Sequence, residues 1–429
     1  MTESQSAELY ERAQRTLPGG VSRNTVLRSP HPVYVDHAFG SKVTDIEGVE
    51  FLDCANNMAS LIHGHAHPAI VEAATAQLSR GTAFALATEI EIEYAEYLCS
   101  RNAGFERIRF VNSGTEAVMG AIKAARAATG RPKIAKVEGA YHGLYDFAEV
   151  SQTSSPTTWG SEERPESVPV ARGTPAGVLS DVVVLPFNDP ERAIAILDEH
   201  RGGIACVVLD PMPHRVGLTP ADETFVRALR DWTTEDGSLL AFDEVITFRT
   251  EYGGMQDRYT AVPDLTALGK VIGGGFPVGA LAGSADVMEV MNPLADDIRF
   301  PHSGTFSANP VTMTAGLVAM RMYDRDAVDL LNGRALRAVE GIRRGIAASG
   351  ADASVTGAGS LFRVHFKADP PRNHREAFAS PGEAKRRTAM LDHLFASGFL
   401  MINTCSAALA TSMTDDDIDA LVAAITDGF

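Results

Sequence analysis

The apolar runs DVVVLPF (181–187), ACVVLDP (205–211) and LLAF (239–242) constrain this chain more than any other feature. A strand that is apolar at every position, and rich in Val, is buried on both faces. That is the mark of a parallel sheet covered by helices. Thr224 to Thr233 has a helical pattern and lies between the second and third runs. Strands alternating with helices predict α/β architecture, and ligands in such folds sit at the carboxyl ends of the strands. Several chemistry-bearing residues fall at such ends. Asp210 follows the second run and Asp243 the third; Tyr141 and His142 follow KIAKV, and Ser113, Gly114 and Thr115 follow IRFV. All of them can therefore converge.

At 429 residues the chain is long enough for two domains. The pattern divides it into an N-terminal segment, 1–65, a large domain, 66–325, and a smaller α+β domain, 326–429. The first segment holds a short helix over 5–17, stopped at Pro18-Gly19-Gly20, then an extended arm carrying Arg23 and Arg28. Strand-like pieces follow near Val33–Val35, Lys42–Asp45 and Phe51–Cys54. Helical patterns run over Pro68–Leu78 and Glu89–Arg101. Residues 151–177 are rich in Ser, Thr, Pro and Gly with no period, and read as a loop over a site entrance. A net charge of −17 argues against nucleic acid or anionic membrane as partners. The polar, acidic N-terminus has no signal-peptide core, and no apolar run is long enough to span a bilayer. Four scattered cysteines without a CxxC pair suit free thiols in a reducing cytoplasm.

The stretch from Leu239 to Gly283 carries the chemistry. A strand ends on Asp243, and Lys270 stands just before Gly273, Gly274 and Gly275. Buried acids need cationic partners, and glycines let backbone and ligand approach closely. Pyridoxal 5'-phosphate (PLP) uses both groups: a lysine amine condenses with its aldehyde, and a carboxylate keeps its ring nitrogen protonated. Lys270 and Asp243 are assigned those roles. A P-loop is a poor alternative, because its glycines precede the lysine and a Ser or Thr follows; here Val271 follows. Ser113, Gly114 and Thr115 open a helix, where free N–H groups and the helix dipole bind phosphate; a plain N-cap is the competing reading. Tyr141 can stack on a planar ring or pack in a core. The histidines of HGHAHP (His63, His65, His67) have no fourth ligand at useful spacing, so packing and turn roles are favoured over zinc.

The motifs NSGTEAVMGAIKAARAATGR with YHG, FDEVIT, and DLTALGKVIGGGFPVGA together resemble class III aminotransferases, a branch of the fold-type I PLP enzymes. PGGV, GHAHP and HSGT resemble the glutamate-1-semialdehyde aminomutase subgroup in particular. The likeness runs from about Pro18 to Met320 and continues more weakly to the end. It implies a large domain with a mostly parallel sheet flanked by helices, plus a smaller domain, in a homodimer with sites at the subunit interface. It implies that Lys270 holds the cofactor covalently and later moves a proton, and that Asp243 faces the ring nitrogen. Ser113, Gly114 and Thr115 would hold the phosphate with Thr305 of the neighbouring subunit, while Tyr141 and Val245 cover the two ring faces.

Three departures bear on the reaction. VITFR is one residue shorter than the mutase's VMTGFR-like segment. Asp210 to Arg215 (DPMPHR) replaces an EP run followed by Gly-Asn, and brings in the cationic Arg215. INTCSAALATS lacks the acid of the mutase's APSQFEAGF-like segment, with none between Ile402 and Thr414. An intermolecular aminotransferase is therefore favoured over an aminomutase; a racemase or isomerase is a further enzyme reading, and a binding module without catalysis the non-enzymatic one. For a substrate carboxylate, Arg28 is the first choice, with Arg23, Arg215 and Arg249 as competitors, because a guanidinium takes a carboxylate in a bidentate fork. A β-amino acid, its amine offset from the carboxylate, suits such a pocket.

Overall fold

The apolar runs pair into one sheet in the computed structural model, which describes residues 4–429. Three short strands come first, after a helix over Gln5–Gln14: β1 (Val35–Phe39), β2 (Lys42–Asp45) and β3 (Glu50–Asp53). Seven more make the central sheet. They are β4 (Arg107–Val111), β5 (Lys133–Val137), β6 (Val182–Leu185), β7 (Ile204–Leu209), β8 (Leu239–Asp243), β9 (Leu265–Gly269) and β10 (Gly279–Gly283). Their order is β4-β10-β9-β8-β7-β5-β6. β10 runs antiparallel to both its neighbours, and the pairs from β9 to β6 are parallel.

Side chains alternate across each strand, and the two faces bury different partners. Val182, Val184 and Val208 lie on the face shared with the helix Gly114–Thr129, in one buried cluster with its Val118, Ala121 and Ile122. Val183, Leu185, Val207 and Leu209 face the helices Pro190–Asp198 and Glu223–Asp236, against Leu197, Phe225, Leu229 and Trp232. Each large side chain so buried contributes about 1.5–3 kcal/mol. Apolar strands are tolerated here because both faces are covered.

The C-terminal part begins with a long helix, Arg325–Ser349, whose Val328, Leu331, Ala335, Ala338 and Ile342 are buried. It is followed by β11 (Ser354–Ala358), β12 (Leu361–His365), β13 (Phe399–Leu400) and β14 (Ser406–Ala408). β11, β12 and β14 form an antiparallel sheet. β13 instead pairs in parallel with β3, Phe399 opposite Leu52. The N-terminal strands and the C-terminal part thus share a four-stranded sheet, β1-β2-β3-β13. Between Glu149 and Ala176 the chain has no helix or named strand.

Candidate active site

The carboxyl ends of β7, β8 and β9 lie side by side. Leu209 pairs with Phe242, so the residues that follow them, Asp210 and Asp243, are neighbours. Asp243 is buried and held on both oxygens. His142 Nδ1 donates to its Oδ2 at 2.7 Å, and the Val245 amide donates to Oδ1 at 3.1 Å. Burial pushes the His142 pKa down against the pull of Asp243, and its Nε2 is buried without a partner. Asp210 accepts from the Met212 amide at 2.9 Å, and burial followed by the nearby Asp243 pushes its carboxyl well above the usual range. Two adjacent carboxyls in a dry site do not both ionise without a cation.

Lys270 directly follows β9. Its φ of +49° puts a side chain in the left-handed region, a strain that persists only where surroundings enforce it. Burial lowers its amine pKa, with Asp243 and Asp210 opposing. The amine is thereby moved toward the neutral, nucleophilic form.

The helix Gly114–Thr129 starts at the end of β4, opposite these acids. Ser113 is its N-cap, its hydroxyl accepting from the Glu116 amide at 3.1 Å. That hydroxyl does what the competing reading assigned to it, and the first-turn amides of Gly114 and Thr115 remain for an anion. Close approach explains two glycines. A Cβ at Gly114 would stand 2.8 Å from Val245 Cγ1, and one at Gly143 would stand 2.5 Å from Thr115 Oγ1. The Tyr141-His142-Gly143 turn is therefore packed on the helix start, and Val245 covers it from β8. Tyr141 is 40% exposed, with the Arg215 guanidinium over its ring, 4.7 Å from the centroid. Thr305 is exposed in a turn before the helix Pro310–Met322. An anion seat, a carboxylate, a partly exposed aromatic ring and a desolvated amine fit PLP, and they are gathered here.

A separate cleft of about 1050 Å³ is lined by Arg23, Arg28, Asn57, Phe395 and Asn403, and it touches the glycine turn after Lys270 at Gly275. Arg28 lies over the Phe395 ring at 3.7 Å and donates to Asp392 at 2.9 Å. Arg23 donates to Asn57 Oδ1 at 2.7 Å. Arg215 makes one bond, to the Gln152 carbonyl at 3.3 Å. Arg249 corrects the expectation that it binds substrate. It is fully buried, and donates to Ser360 Oγ at 2.9 Å, to the Ala59 carbonyl at 3.1 Å and to the Leu409 carbonyl. Its guanidinium ties three distant segments together and has no face toward the cleft.

Two of the HGHAHP histidines are held individually. His63 bonds Thr411 Oγ1 and the Ala319 carbonyl, both at 2.8 Å, and His65 bonds Asp53 at 2.8 Å; His67 stands at the N-cap position of the helix Pro68–Leu78 without a side-chain capping bond, its Nδ1 buried without a partner. Among the described residues no group of three or more His, Cys, Asp or Glu side chains is placed to hold a metal, and no helix is long and apolar enough to cross a membrane. Two features escaped sequence reasoning. Lys136 is fully buried on β5, where KIAKV offers no hint of an inward lysine, and donates to the carbonyls of Ala140 and Val150 at 3.0 and 2.6 Å. Residues Asn56–Ala59 form a left-handed turn with φ from 44° to 67°, placing Asn57 and Met58 on the cleft wall; nothing in NNMA signals it.

The family model for aminotransferase class-III matches residues 25–428. Glutamate-1-semialdehyde 2,1-aminomutase of Methanocella arvoryzae is 37% identical over 382 residues, covering 88% of this chain and 87% of its own. Among solved structures, an omega-transaminase from Sphaerobacter thermophilus is 46% identical with a TM-score of 0.97, covering 100% of this chain and 97% of its own. A beta-phenylalanine aminotransferase from Variovorax paradoxus is 31% identical with a TM-score of 0.88, covering 98% and 93%.

Proposed function

The chain belongs to the class-III aminotransferases, and on that premise we propose that it moves an amino group from a carboxylate-bearing donor, a β-amino acid, to a keto acid by a ping-pong mechanism. It is a PLP-dependent enzyme. When bound, PLP supplies an electron-deficient ring that takes up the electron pair left on a substrate carbon as its proton departs. The chain's own residues do the rest. The amides of Gly114 and Thr115 would hold its phosphate and Asp243 would face its ring nitrogen, with His142 fixing the Asp243 carboxylate. Tyr141 and Val245 would cover the two ring faces. Lys270 Nζ would hold the cofactor and would serve as the base that takes the proton from the substrate carbon and returns it. A neutral amine is needed for that, and burial favours it.

The observation that carries the reading is the gathering of Lys270, Asp243 and the helix start at the carboxyl ends of the strands; Arg28 lines the cleft that touches the glycine turn at Gly275. The pair Arg28–Asp392 is partly exposed, at 29% and 64%, so it is worth about 0–1 kcal/mol and yields readily to a substrate carboxylate. The Variovorax relative, by its description, acts on a β-amino acid, which supports that class of donor. The segment from Ile402 to Thr414 carries no carboxylate to hold a diamino species. The aminomutase reading draws support from relatives such as the Methanocella protein. We further propose a cytoplasmic homodimer, with Thr305 reaching the neighbouring subunit's phosphate. Exposed Phe84, Leu86, Leu294 and Phe306 supply apolar surface for such an interface.

The visible spectrum of the PLP-loaded protein tests the reading. Adding β-phenylalanine without an acceptor bleaches the yellow band, and a keto acid restores it. A band that persists while glutamate-1-semialdehyde is consumed identifies an aminomutase instead.

A further inference from the structure

The turn that carries Tyr141 and His142 is gripped by the C-terminal part of the chain. A four-residue helix, His374–Ala377, places Arg375 against Glu138, at the start of that turn. Arg375 Nε donates to Glu138 Oε2 at 3.0 Å and Nη2 to Oε1 at 3.2 Å, a bidentate fork with Glu138 only 4% exposed. The same guanidinium donates to the carbonyls of Trp159, Gly160 and Ser161 at 2.9, 3.2 and 2.8 Å. It also lies 5.0 Å from the Trp159 ring centroid. His374 closes the other side. Its Nε2 donates to the Ser154 carbonyl at 3.0 Å, and a Cβ at Gly139 would stand 2.1 Å from its Nδ1. Five hydrogen bonds from the three nitrogens of one arginine are thus divided between the acid before Tyr141 and the backbone of the irregular 151–175 stretch. A planar fork serves both at once, which a lysine cannot do.

We propose that Arg375 is a positioning residue for the cofactor, fixing through Glu138 the turn whose Tyr141 and His142 meet the ring, and clasping the 151–175 stretch over it. Arg375 touches neither cofactor nor substrate; it acts by removing freedom from residues that do. The proposal rests on the reading of Tyr141 and His142 as cofactor contacts. It predicts that retention of PLP depends on a side chain more than two hundred residues downstream of the ring contacts.

The test is PLP affinity of the reconstituted apoprotein, read by the visible absorption band, with trypsin nicking after the exposed Arg172 as the reading of loop order. Arg375→Ala weakens PLP binding by about tenfold, the worth of one charge-assisted hydrogen bond, and speeds nicking. Arg375→Lys keeps the cation beside Glu138, so it recovers part of the affinity while nicking stays fast; it serves alone if the alanine variant does not fold. In a Tyr141→Ala background the Arg375→Lys effect on affinity shrinks, because both changes act on one turn. Wild-type affinity in both Arg375 variants overturns the proposal, as does full additivity with Tyr141→Ala. If Tyr141→Ala itself binds PLP like the wild type, the ring-face reading fails, and the proposal falls with it for that separate and visible reason.

Discussion

At the scale of single residues, Lys270 and Asp243 divide the work by charge. Lys270→Ala removes the base and the anchor together, and turnover falls by about a hundred- to ten-thousandfold, measured as kcat at saturating donor. The acid limb of the kcat profile reports the same amine, which is free only once the donor has displaced it. A base must be neutral, so activity rises with pH, and burial places the midpoint below the ordinary lysine value of 10.5; a midpoint at or above it would sink the assignment. His365 gives a stability test remote from the site. Its Nε2 donates to the Gly217 carbonyl at 3.0 Å, and burial pushes its pKa from 6.5 to about 3. The folded value lies below the unfolded one. The stability it contributes is therefore complete above pH 6.5 and lost as pH falls toward 3. His365→Gln flattens the dependence of unfolding free energy on pH by one proton, about 1.4 kcal/mol per pH unit in that window, as denaturant titrations at several pH values would show.

Secondary-structure elements were read from sequence to differing depth, for physical reasons. β6, β7 and β8 were plain because burial on both faces demands continuous apolar runs, and Pro68–Leu78 and Glu89–Arg101 fold over the ranges their periodicity predicts. β10 was not legible. GALAG has neither β-branched residues nor alternation, and it is small because a Cβ at Gly279 would stand 2.1 Å from the Ser113 carbonyl. The first helix ends at Gln14, short of the predicted 17, and β1 spans Val35–Phe39, past the predicted 33–35. The position of Asp243 at a strand end is legible because a change from apolar to polar marks such an end; the strand before Lys270, Leu265–Gly269, is not. The burial of Arg249 and the inward turn of Lys136 were not, since each depends on partners far away in sequence. The start of the helix Gly114–Thr129 yields a prediction of its own. Ser113→Ala removes the cap on the Glu116 amide and costs about 1 kcal/mol of apoprotein stability. PLP affinity changes little, because backbone amides remain to hold the phosphate. A large loss of affinity with unchanged stability would show that the hydroxyl turns to the phosphate when PLP binds.

Across the whole molecule, the cleft exists because the two ends of the chain meet. β3 and β13 share a sheet, so the arm bearing Arg23 and Arg28 lies against the helix Pro381–Ala396, and Arg28 reaches Asp392 and Phe395 on it. No local pattern in the sequence announces that meeting, yet it decides which arginine is available to a substrate. Arg249 is spent inside the protein, whereas Arg28 is held by one solvent-facing acid and one ring face. Asp392 therefore competes with a substrate carboxylate for the same guanidinium, and the two partners should respond to mutation with opposite signs. Arg28→Ala raises KM for carboxylate-bearing donors by about tenfold or more while kcat changes little, the pattern of lost uniform binding. Asp392→Asn frees the fork and lowers KM for the same donors. An amine donor without a carboxylate responds to neither change. Steady-state kinetics with one donor of each kind are sufficient to decide, since a KM that stays constant in both variants would remove Arg28 from recognition and leave Arg23 and Arg215 as the cations facing the substrate.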